Sequence, residues 1–176
     1  MKQDRFTALK ERTRGYMQQY DPAFVTEYMR RQCPLEAGQV IAQADRLMGQ
    51  TFTFEDRWDM EPCAVPYTLK EMIWDYSPNQ DPEWIFMLNR HEYLHKLLLA
   101  YRLTGKQAYI EKLEWYMEHW ITSNPILPEG TVTTRSIDTG IRCMSWQFLL
   151  IHLIGEGLMG QPEAARILDS RGSQCS

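Results

Sequence analysis

Residues 81–124 read DPEWIFMLNRHEYLHKLLLAYRLTGKQAYIEKLEWYMEHWITSN, and this stretch decides the fold. Asp81 and Pro82 form a start signal for a helix, because Asp caps free amides and Pro suits the first helical position. Apolar residues then recur at three- and four-residue intervals up to Thr104, and Gly105 ends the helix. A second amphipathic helix begins within two residues and runs to the end of the stretch. Two helices joined by so short a turn are expected to pack side by side and antiparallel.

Helical patterns also fill most of the chain outside this hairpin. Apolar spacing and helix-start signals predict further helices over residues 4–20, 22–31, 34–48, 136–154 and 161–169. The alternation of Thr51–Phe54 predicts a short strand, and the prolines and tryptophans up to residue 79 indicate an ordered loop. The predicted class is therefore all-α, built from antiparallel helix hairpins, with a short irregular or β segment near residues 51–79.

The length and composition favour a single globular domain over residues 1–176. In this prediction residues 1–50 form a helical lead-in and residues 81–170 form the helix-hairpin core. The chain is 44% hydrophobic and 24% charged, which excludes a disordered protein, and no apolar run is long enough to cross a membrane. A net charge of -4 gives no general attraction to nucleic acid. The charged N-terminus lacks an apolar leader, so we expect a cytoplasmic protein unless a signal was removed.

The sequence His91-Glu92-Tyr93-Leu94-His95 fits the zinc motif H-E-x-x-H. On one helix the two histidines would lie one turn apart and could share zinc, with Glu92 activating the bound water. Glu114 follows at a spacing that suits a third zinc ligand. The motif is short, no strand of the kind that holds a peptide substrate precedes it, and both glutamates can simply be solvated. A zinc peptidase is therefore an alternative hypothesis, and we expect no metal.

Two clusters of polar residues could bind an acidic ligand. Asn89 and Arg90 offer hydrogen-bond donors, or they pin their helix to the loop that carries Trp58 and Trp74. Arg135, Asp138 and Arg142 recur at three and four residues, which aligns them on one helix face. That face is either an ion-pair ladder or the lining of an anionic-ligand groove in which Asp138 holds both guanidinium groups. Gly140, within the same helix, predicts close approach of another helix or of a ligand.

Several of these segments together resemble the N-terminal domain of the heparinase II/III family of polysaccharide lyases. The resemblance covers roughly the second half of the chain, in order and with tight spacing. It rests on Trp84, Leu88-Asn89-Arg90-His91, Ala100-Tyr101-Arg102-Leu103-Thr104-Gly105, Tyr109, Trp120-Ile121, Asn124-Pro125, Arg135, Asp138-Thr139-Gly140-Ile141-Arg142 and Trp146. It accounts for His91 without any metal.

The resemblance implies an incomplete (α/α) toroid and β-elimination of uronic-acid-containing polysaccharide. In such enzymes an Asn or His neutralises the uronate carboxylate, and a Tyr or His removes the C5 proton. The family's catalytic residues are expected beyond Ser176, so we expect a groove portion that is inactive alone and needs no cofactor. The predicted substrate-binding residues are Trp84, Asn89, Arg90, His91, Arg135, Asp138 and Arg142.

Two other expectations follow from the helical pattern. A helical scaffold that binds another protein is the second alternative, because stacked helix hairpins often serve that purpose. The last helix is short and has no capping element after it, which leaves an apolar face to be covered. We therefore expect possible self-association through such an exposed face.

Overall fold

The computed structural model describes residues 3–55, 62–125, 127 and 129–174, and most of them are helical. The elements in chain order are α1 (Gln3–Met17), α2 (Pro22–Gln32), α3 (Pro34–Met48), β1 (Thr51–Phe54), β2 (Cys63–Thr68), α4 (Pro82–Arg90), α5 (Leu94–Thr104), α6 (Ala108–Ser123), α7 (Ser136–Gly155) and α8 (Gln161–Gln174). A short 3₁₀ turn at Val132–Thr134 precedes α7. The predicted all-α class is confirmed.

The tight turn of the predicted hairpin lies between α5 and α6. Gly105 adopts φ 75°, a left-handed conformation that glycine reaches without steric cost, and its amide donates to the Tyr101 carbonyl. The chain then re-enters a helix at Ala108, and α6 packs along α5. On its other side α5 packs against α3. The predicted helix pair and its turn are confirmed here.

The first helix of the pair is interrupted, so the prediction of one continuous helix over residues 81–104 was wrong. α4 ends at Arg90, His91 takes a left-handed φ of 62°, and α5 begins at Leu94. A straight helix turns about 100° per residue and cannot bury three consecutive side chains on one face. The break resolves this conflict, because Asn89, Arg90 and His91 are all buried.

The predicted strand is present, and it has a partner that the sequence pattern did not indicate. β1 pairs antiparallel with β2, with Thr51 opposite Thr68 and Phe52 opposite Tyr67. The register then shifts through an irregularity between Phe52 and Phe54. Pro66 argued against a strand because proline cannot donate to a ladder. In a two-stranded sheet each strand has a free edge, which tolerates the missing donor.

The long helix α7 packs against α1 on one side and α4 on another. A Cβ atom on Gly155 would lie 3.0 Å from Met17 Cγ and 3.4 Å from the backbone of Thr13, so this glycine lets α1 approach. Gly140 has nothing within 4 Å of the corresponding position. Among the described residues, no helix approaches Gly140, and the close helix approach occurs fifteen residues later at Gly155. Approach of a ligand at Gly140 stays a prediction.

The apolar core extends from α1 to α8 and centres on α4 to α7. Its largest fully buried side chains include Trp84, Trp120, Trp146, Tyr109 and Tyr116. The prediction that Trp120 and Trp146 belong to the core is confirmed. None of the helices in the described part of the chain is long and apolar enough to cross a membrane.

Candidate functional site

All but one of the sequence-predicted site residues lie where the end of α4, the corner segment His91–Tyr93 and the first half of α7 come together. Trp84 lies near the start of α4 instead, where its ring packs against those of Phe52, Phe54 and Tyr67 on the two-stranded sheet. Six of the seven are nearly excluded from solvent, namely Trp84, Asn89, Arg90, His91, Asp138 and Arg142. The seventh, Arg135, has 41% of its side chain exposed. The structure therefore brings the predicted residues other than Trp84 together, and most of their hydrogen bonds go to backbone carbonyls and to side chains outside the predicted set.

The Asn89 side chain joins three parts of the molecule. Its amide nitrogen donates to the carbonyls of Trp74 and Ile85, each at 2.8 Å. Its amide oxygen accepts from Trp120 Nε1, also at 2.8 Å. Both amide protons and the oxygen are thus used, as a fully buried amide requires. The prediction that Asn89 pins its helix to the loop is confirmed for Trp74, whereas Trp58 lies outside the described residues.

Arg142 is a fully buried arginine whose charge is met mainly by neutral groups. One guanidinium nitrogen, Nη1, donates to the Asn89 carbonyl at 2.7 Å and to the Thr133 carbonyl at 3.3 Å. The other, Nη2, donates to Thr139 Oγ1 at 3.0 Å, and the guanidinium lies 3.8 Å from the centre of the Trp120 ring. Burial lowers the pKa of Arg142 to about 10, although the charge of Asp138 works in the opposite direction. Arg142 thereby ties α7 to the end of α4 and to the 3₁₀ turn.

Asp138 accepts a hydrogen bond from one arginine and forms a longer ion pair with another. Arg90 Nε donates to its Oδ1 at 2.8 Å, with both side chains buried, and Arg135 Nη1 lies 3.6 Å from its Oδ2. The guanidinium of Arg135 also stacks over the Phe86 ring at 3.6 Å. The predicted pairing of Asp138 with Arg135 is confirmed, whereas its pairing with Arg142 is wrong. Arg90 is the second partner of Asp138, and the hydrogen bonds of Arg142 go to Asn89, Thr133 and Thr139. The pattern on α7 could not indicate an arginine on α4.

His91 is enclosed by aromatic rings. Its ring centre lies between 5.0 and 6.0 Å from those of Trp74, Tyr93, Trp120 and Trp146. Trp146 Nε1 donates to His91 Nδ1 at 3.0 Å, which requires a neutral imidazole with its proton on Nε2. Burial, and then the charge of Arg142, hold the pKa of His91 well below its usual range. His91 is therefore a neutral acceptor in the interior.

The second histidine of the H-E-x-x-H motif lies on a different element and has a different partner. His95, on α5, places Nε2 at 2.9 Å from Ser145 Oγ, and that hydroxyl donates to the His91 carbonyl at 3.1 Å. Burial lowers the pKa of His95 as well. The zinc alternative assumed one continuous helix, and this assumption was wrong because α4 ends before His91. No group of three His, Cys, Asp or Glu residues within the described part of the chain could hold a metal ion.

The proposed third zinc ligand, Glu114, belongs to a separate acidic group between α6 and α8. Burial and the neighbouring charges of Glu163, Glu118 and Glu111 raise the pKa of Glu114 to about 7. Arg166 opposes this effect and binds Glu118 directly. The surroundings of Glu114 are therefore explained by the packing of α8 on α6 without a metal.

The buried residues Asn89, Arg90, His91, Asp138 and Arg142 are called the buried cluster below. Two surface depressions border it. The corner groove has a volume of about 500 Å³ and is lined by Arg90, Glu92, His95, Ile137, Ile141, Met144, Ser145 and Phe148. The Trp74 cleft, of about 310 Å³, lies on the side of the 3₁₀ turn and includes Trp74, Asn124, Thr131 and Thr133. Arg90 and Ser145 reach the corner groove, and Thr133 reaches the Trp74 cleft.

Ser145 and Trp74 also contact the buried cluster, and neither was among the predicted site residues. The Ser145 hydroxyl hydrogen-bonds both the carbonyl of His91 and the ring of His95. The carbonyl of Trp74 accepts a hydrogen bond from the Asn89 side chain, and the Trp74 ring contacts His91. A signal for Ser145 was present, since it follows Arg142 by three residues and Asp138 by seven and so shares their helix face. Trp74 lies in a loop without periodicity, where no sequence pattern indicates a partner. Contact of the seven predicted residues with a substrate stays a prediction.

A family model described as Heparinase II/III N-terminus matches residues 7–154. The match contains α2 to α6, the buried cluster, most of α1 and all but the last residue of α7. The chain belongs to the heparinase II/III family. The predicted family is thereby confirmed, and the match extends into the first 50 residues, where the sequence motifs gave little indication.

A curated relative of this heparinase II/III family chain is a protein named heparin-sulfate lyase from Bacteroides thetaiotaomicron. The two are 30% identical over 98 residues, which is 53% of this chain and 14% of the relative. The chain thus corresponds to a small part of that protein's length. No solved structure matches the chain.

Proposed function

We propose that this domain forms the N-terminal helical part of a polysaccharide lyase that acts by β-elimination on uronic-acid-containing polysaccharide. The observation that carries the proposal is the family match over residues 7–154, together with a relative whose name is heparin-sulfate lyase. We assign it one wall of a substrate groove within an incomplete (α/α) toroid. The paired helices α5 and α6, and the packing of α4 on α7, support that arrangement.

The contacts of the histidines in the described residues favour a binding role for this domain over a catalytic one. β-Elimination needs a group that neutralises the carboxylate and a base that reaches the C5 proton. His91 and His152 are buried, His95 is bonded to Ser145, and His119 accepts from Trp74 Nε1 at 3.0 Å. Each of these imidazoles already serves a structural contact, so we propose that the domain alone does not turn over substrate.

Arg135 is the predicted site residue best placed to meet an acidic sugar. Its side chain is 41% exposed, and the Phe86 ring and Asp138 fix its guanidinium from behind. A planar guanidinium held in this way suits a carboxylate or a sulfate, both of which accept two parallel hydrogen bonds. The buried residues Arg90, Asp138 and Arg142 then act as positioning residues, because they hold α7 and Arg135 in place.

Binding of heparan sulfate oligosaccharides, measured by isothermal titration calorimetry, tests this assignment. Replacing Arg135 with Gln should weaken binding about tenfold, the effect of one charge-assisted hydrogen-bond pair. Arg31→Gln is a matched control, because Arg31 lies on α2 with 73% of its side chain exposed. Equal affinities of both variants and the wild type would overturn the role of Arg135, and no binding to any acidic polysaccharide would overturn the groove.

Ultraviolet absorbance of the unsaturated uronate product tests the absence of turnover. We expect no increase with heparan sulfate, hyaluronan or alginate. A clear increase would show that the acid and base lie within this domain, contrary to the proposal.

Two further predictions accompany this function. We propose self-association through an exposed apolar face, which the described surface of α7 supports. A cytoplasmic location stays a prediction from the N-terminal sequence.

A further inference from the structure

The corner groove combines an apolar wall with a buried cation. Four side chains of α7 form the wall, namely Ile137, Ile141, Met144 and Phe148. The Phe148 ring is fixed by contacts with the rings of His95 and His152, at 5.0 and 4.4 Å between ring centres. The groove volume of about 500 Å³ falls within the roughly 300–1,000 Å³ of sites that bind small molecules. Such sites are mostly apolar and carry a few polar groups that orient the ligand.

The charge of Arg90 reaches this groove. The Arg90 side chain is 6% exposed, and its Nε donates to Asp138 Oδ1. Its two terminal nitrogens, Nη1 and Nη2, have no hydrogen-bond partner among the described residues, and neither is sealed from water. Because Arg90 lines the corner groove, these nitrogens are the point at which its charge meets a ligand there. A pair of guanidinium N–H groups can bind both oxygens of one carboxylate.

The balance of charges beside the groove favours an anion. Within the buried cluster and Arg135, three guanidinium groups share one carboxylate, that of Asp138. The hydrogen bonds of Arg142 go to neutral groups, so they do not offset this positive excess. Glu92 also lines the groove, but it is exposed, and water screens its charge. A carboxylate bound at Arg90 would therefore reduce an excess of positive charge.

The other buried polar groups of the groove already bind each other. The Ser145 hydroxyl donates to the His91 carbonyl at 3.1 Å, and His95 Nε2 lies 2.9 Å from the same hydroxyl oxygen. Since a hydroxyl has one proton, the imidazole N–H is the donor in the second hydrogen bond. Among the residues that line the groove, Arg90 is then the side-chain donor left for a ligand.

We propose that the corner groove binds a small monocarboxylate with an apolar body. The carboxylate accepts from Nη1 and Nη2 of Arg90, and the hydrocarbon part lies along Ile141, Met144 and Phe148. An uncharged hydrocarbon forms no bond with the guanidinium, and a purely hydrophilic anion leaves the apolar wall in water. The groove therefore selects ligands that have both parts. This inference does not depend on polysaccharide binding.

Isothermal titration calorimetry of the whole chain with sodium octanoate, without sugar, tests the site. We expect one octanoate per chain, with a dissociation constant between about 10 μM and 1 mM for a ligand of this size. Lengthening the chain from hexanoate to octanoate should tighten binding about two- to fourfold per methylene, because each buried CH₂ strengthens the hydrophobic interaction. 1-Octanol has the same hydrocarbon chain without the charge, and it should bind at least about tenfold more weakly.

Two sets of variants locate the ligand. Met144 is 74% exposed, so Met144→Glu and Met144→Lys should both fold, and the glutamate variant should bind octanoate at least about tenfold more weakly than the lysine variant. Leu35→Glu on α3, where Leu35 is 79% exposed, is the matched control and should bind like the wild type. The double variant Arg90→Met with Asp138→Leu removes the cation together with its buried partner, and it should lose the preference for octanoate over octanol.

Circular dichroism of each variant verifies that it is folded. The inference would be overturned by a wild type that does not bind octanoate at millimolar concentrations, or that binds octanol equally well. Equal affinities of Met144→Glu and Met144→Lys for octanoate would also overturn it, and so would a folded double variant that keeps the preference for octanoate. Failure here leaves the Arg135 test unaffected, because that test follows affinity for heparan sulfate alone.

Discussion

Removing the Asp138 carboxylate is expected to cost a large part of the domain's stability. Asp138 Oδ1 accepts from Arg90 Nε at 2.8 Å, and the two side chains are 0% and 6% exposed. In Asp138→Ala the guanidinium of Arg90 would remain buried without its anion. Breaking a buried pair in this way costs about 3–5 kcal/mol, a large share of a total that is typically about 5–15 kcal/mol. Asp138→Asn keeps a hydrogen-bond acceptor and should cost less.

Urea unfolding followed by circular dichroism measures this effect. With a slope of about 1–3 kcal/mol per molar urea, the midpoint of Asp138→Ala should fall by at least about 1 M. Arg135→Ala removes the exposed partner of the same carboxylate and should cost less than about 1 kcal/mol. The double variant Arg90→Met with Asp138→Leu should recover most of the loss, because it removes both buried charges of the pair and leaves only the half-exposed Arg135 without its partner. A cost for Asp138→Ala no larger than that for Arg135→Ala would refute the reasoning.

Three further predictions concern packing and pH. Gly140→Ala should stabilise the domain by about 0.5–1 kcal/mol in urea unfolding, whereas Gly155→Leu should displace α1 and make it sensitive to limited proteolysis. Since the pKa of Glu114 is raised to about 7, its contribution to stability is present in acid and is lost as the pH rises through 7. Glu114→Gln should therefore make the free energy of unfolding less dependent on pH between about pH 4.5 and 7. An unchanged dependence on pH would contradict the burial of the Glu114 carboxyl. Trp146→Phe removes the hydrogen-bond donor to His91 and should lower the free energy of unfolding by about 1–3 kcal/mol, measured by thermal or urea unfolding. The free energy of unfolding would stay unchanged only if a water molecule replaced the indole N–H.

Local signals along the chain predicted most of the helices. Asp81 is an N-cap whose side chain accepts from the Glu83 amide, and Gly105 terminates α5 in the left-handed conformation that its sequence position indicated. α7 was expected over residues 136–154 and extends over Ser136–Gly155. These features depend on neighbours within a few residues, which is why periodicity and capping rules predict them.

Contacts distant in sequence account for what could not be predicted. The break at His91 depends on the burial of Asn89 and Arg90 against α6 and α7, and nothing in the local sequence marks it. His91 also looked like a metal ligand, because its neighbours Glu92 and His95 complete a motif that is meaningful only on an unbroken helix. Six of the seven predicted residues do meet in space, whereas Trp84 packs on the two-stranded sheet, and the partners of all seven follow from tertiary packing.

The Arg142 contacts set an order in which the domain can consolidate as it is synthesised. Arg142 donates to the carbonyl of Asn89, 53 residues earlier in the chain. At a synthesis rate of roughly 5–20 residues per second, the Asn89 carbonyl at the end of α4 leaves the ribosome several seconds before the Arg142 guanidinium that donates a hydrogen bond to it. During that interval α1 to α6 can form only a provisional helical assembly, and α7 must emerge before the nascent protein reaches its final interior. A stalled or shortened transcript that ends before residue 142 would therefore release a chain with an unsatisfied helix end, a ready target for quality control.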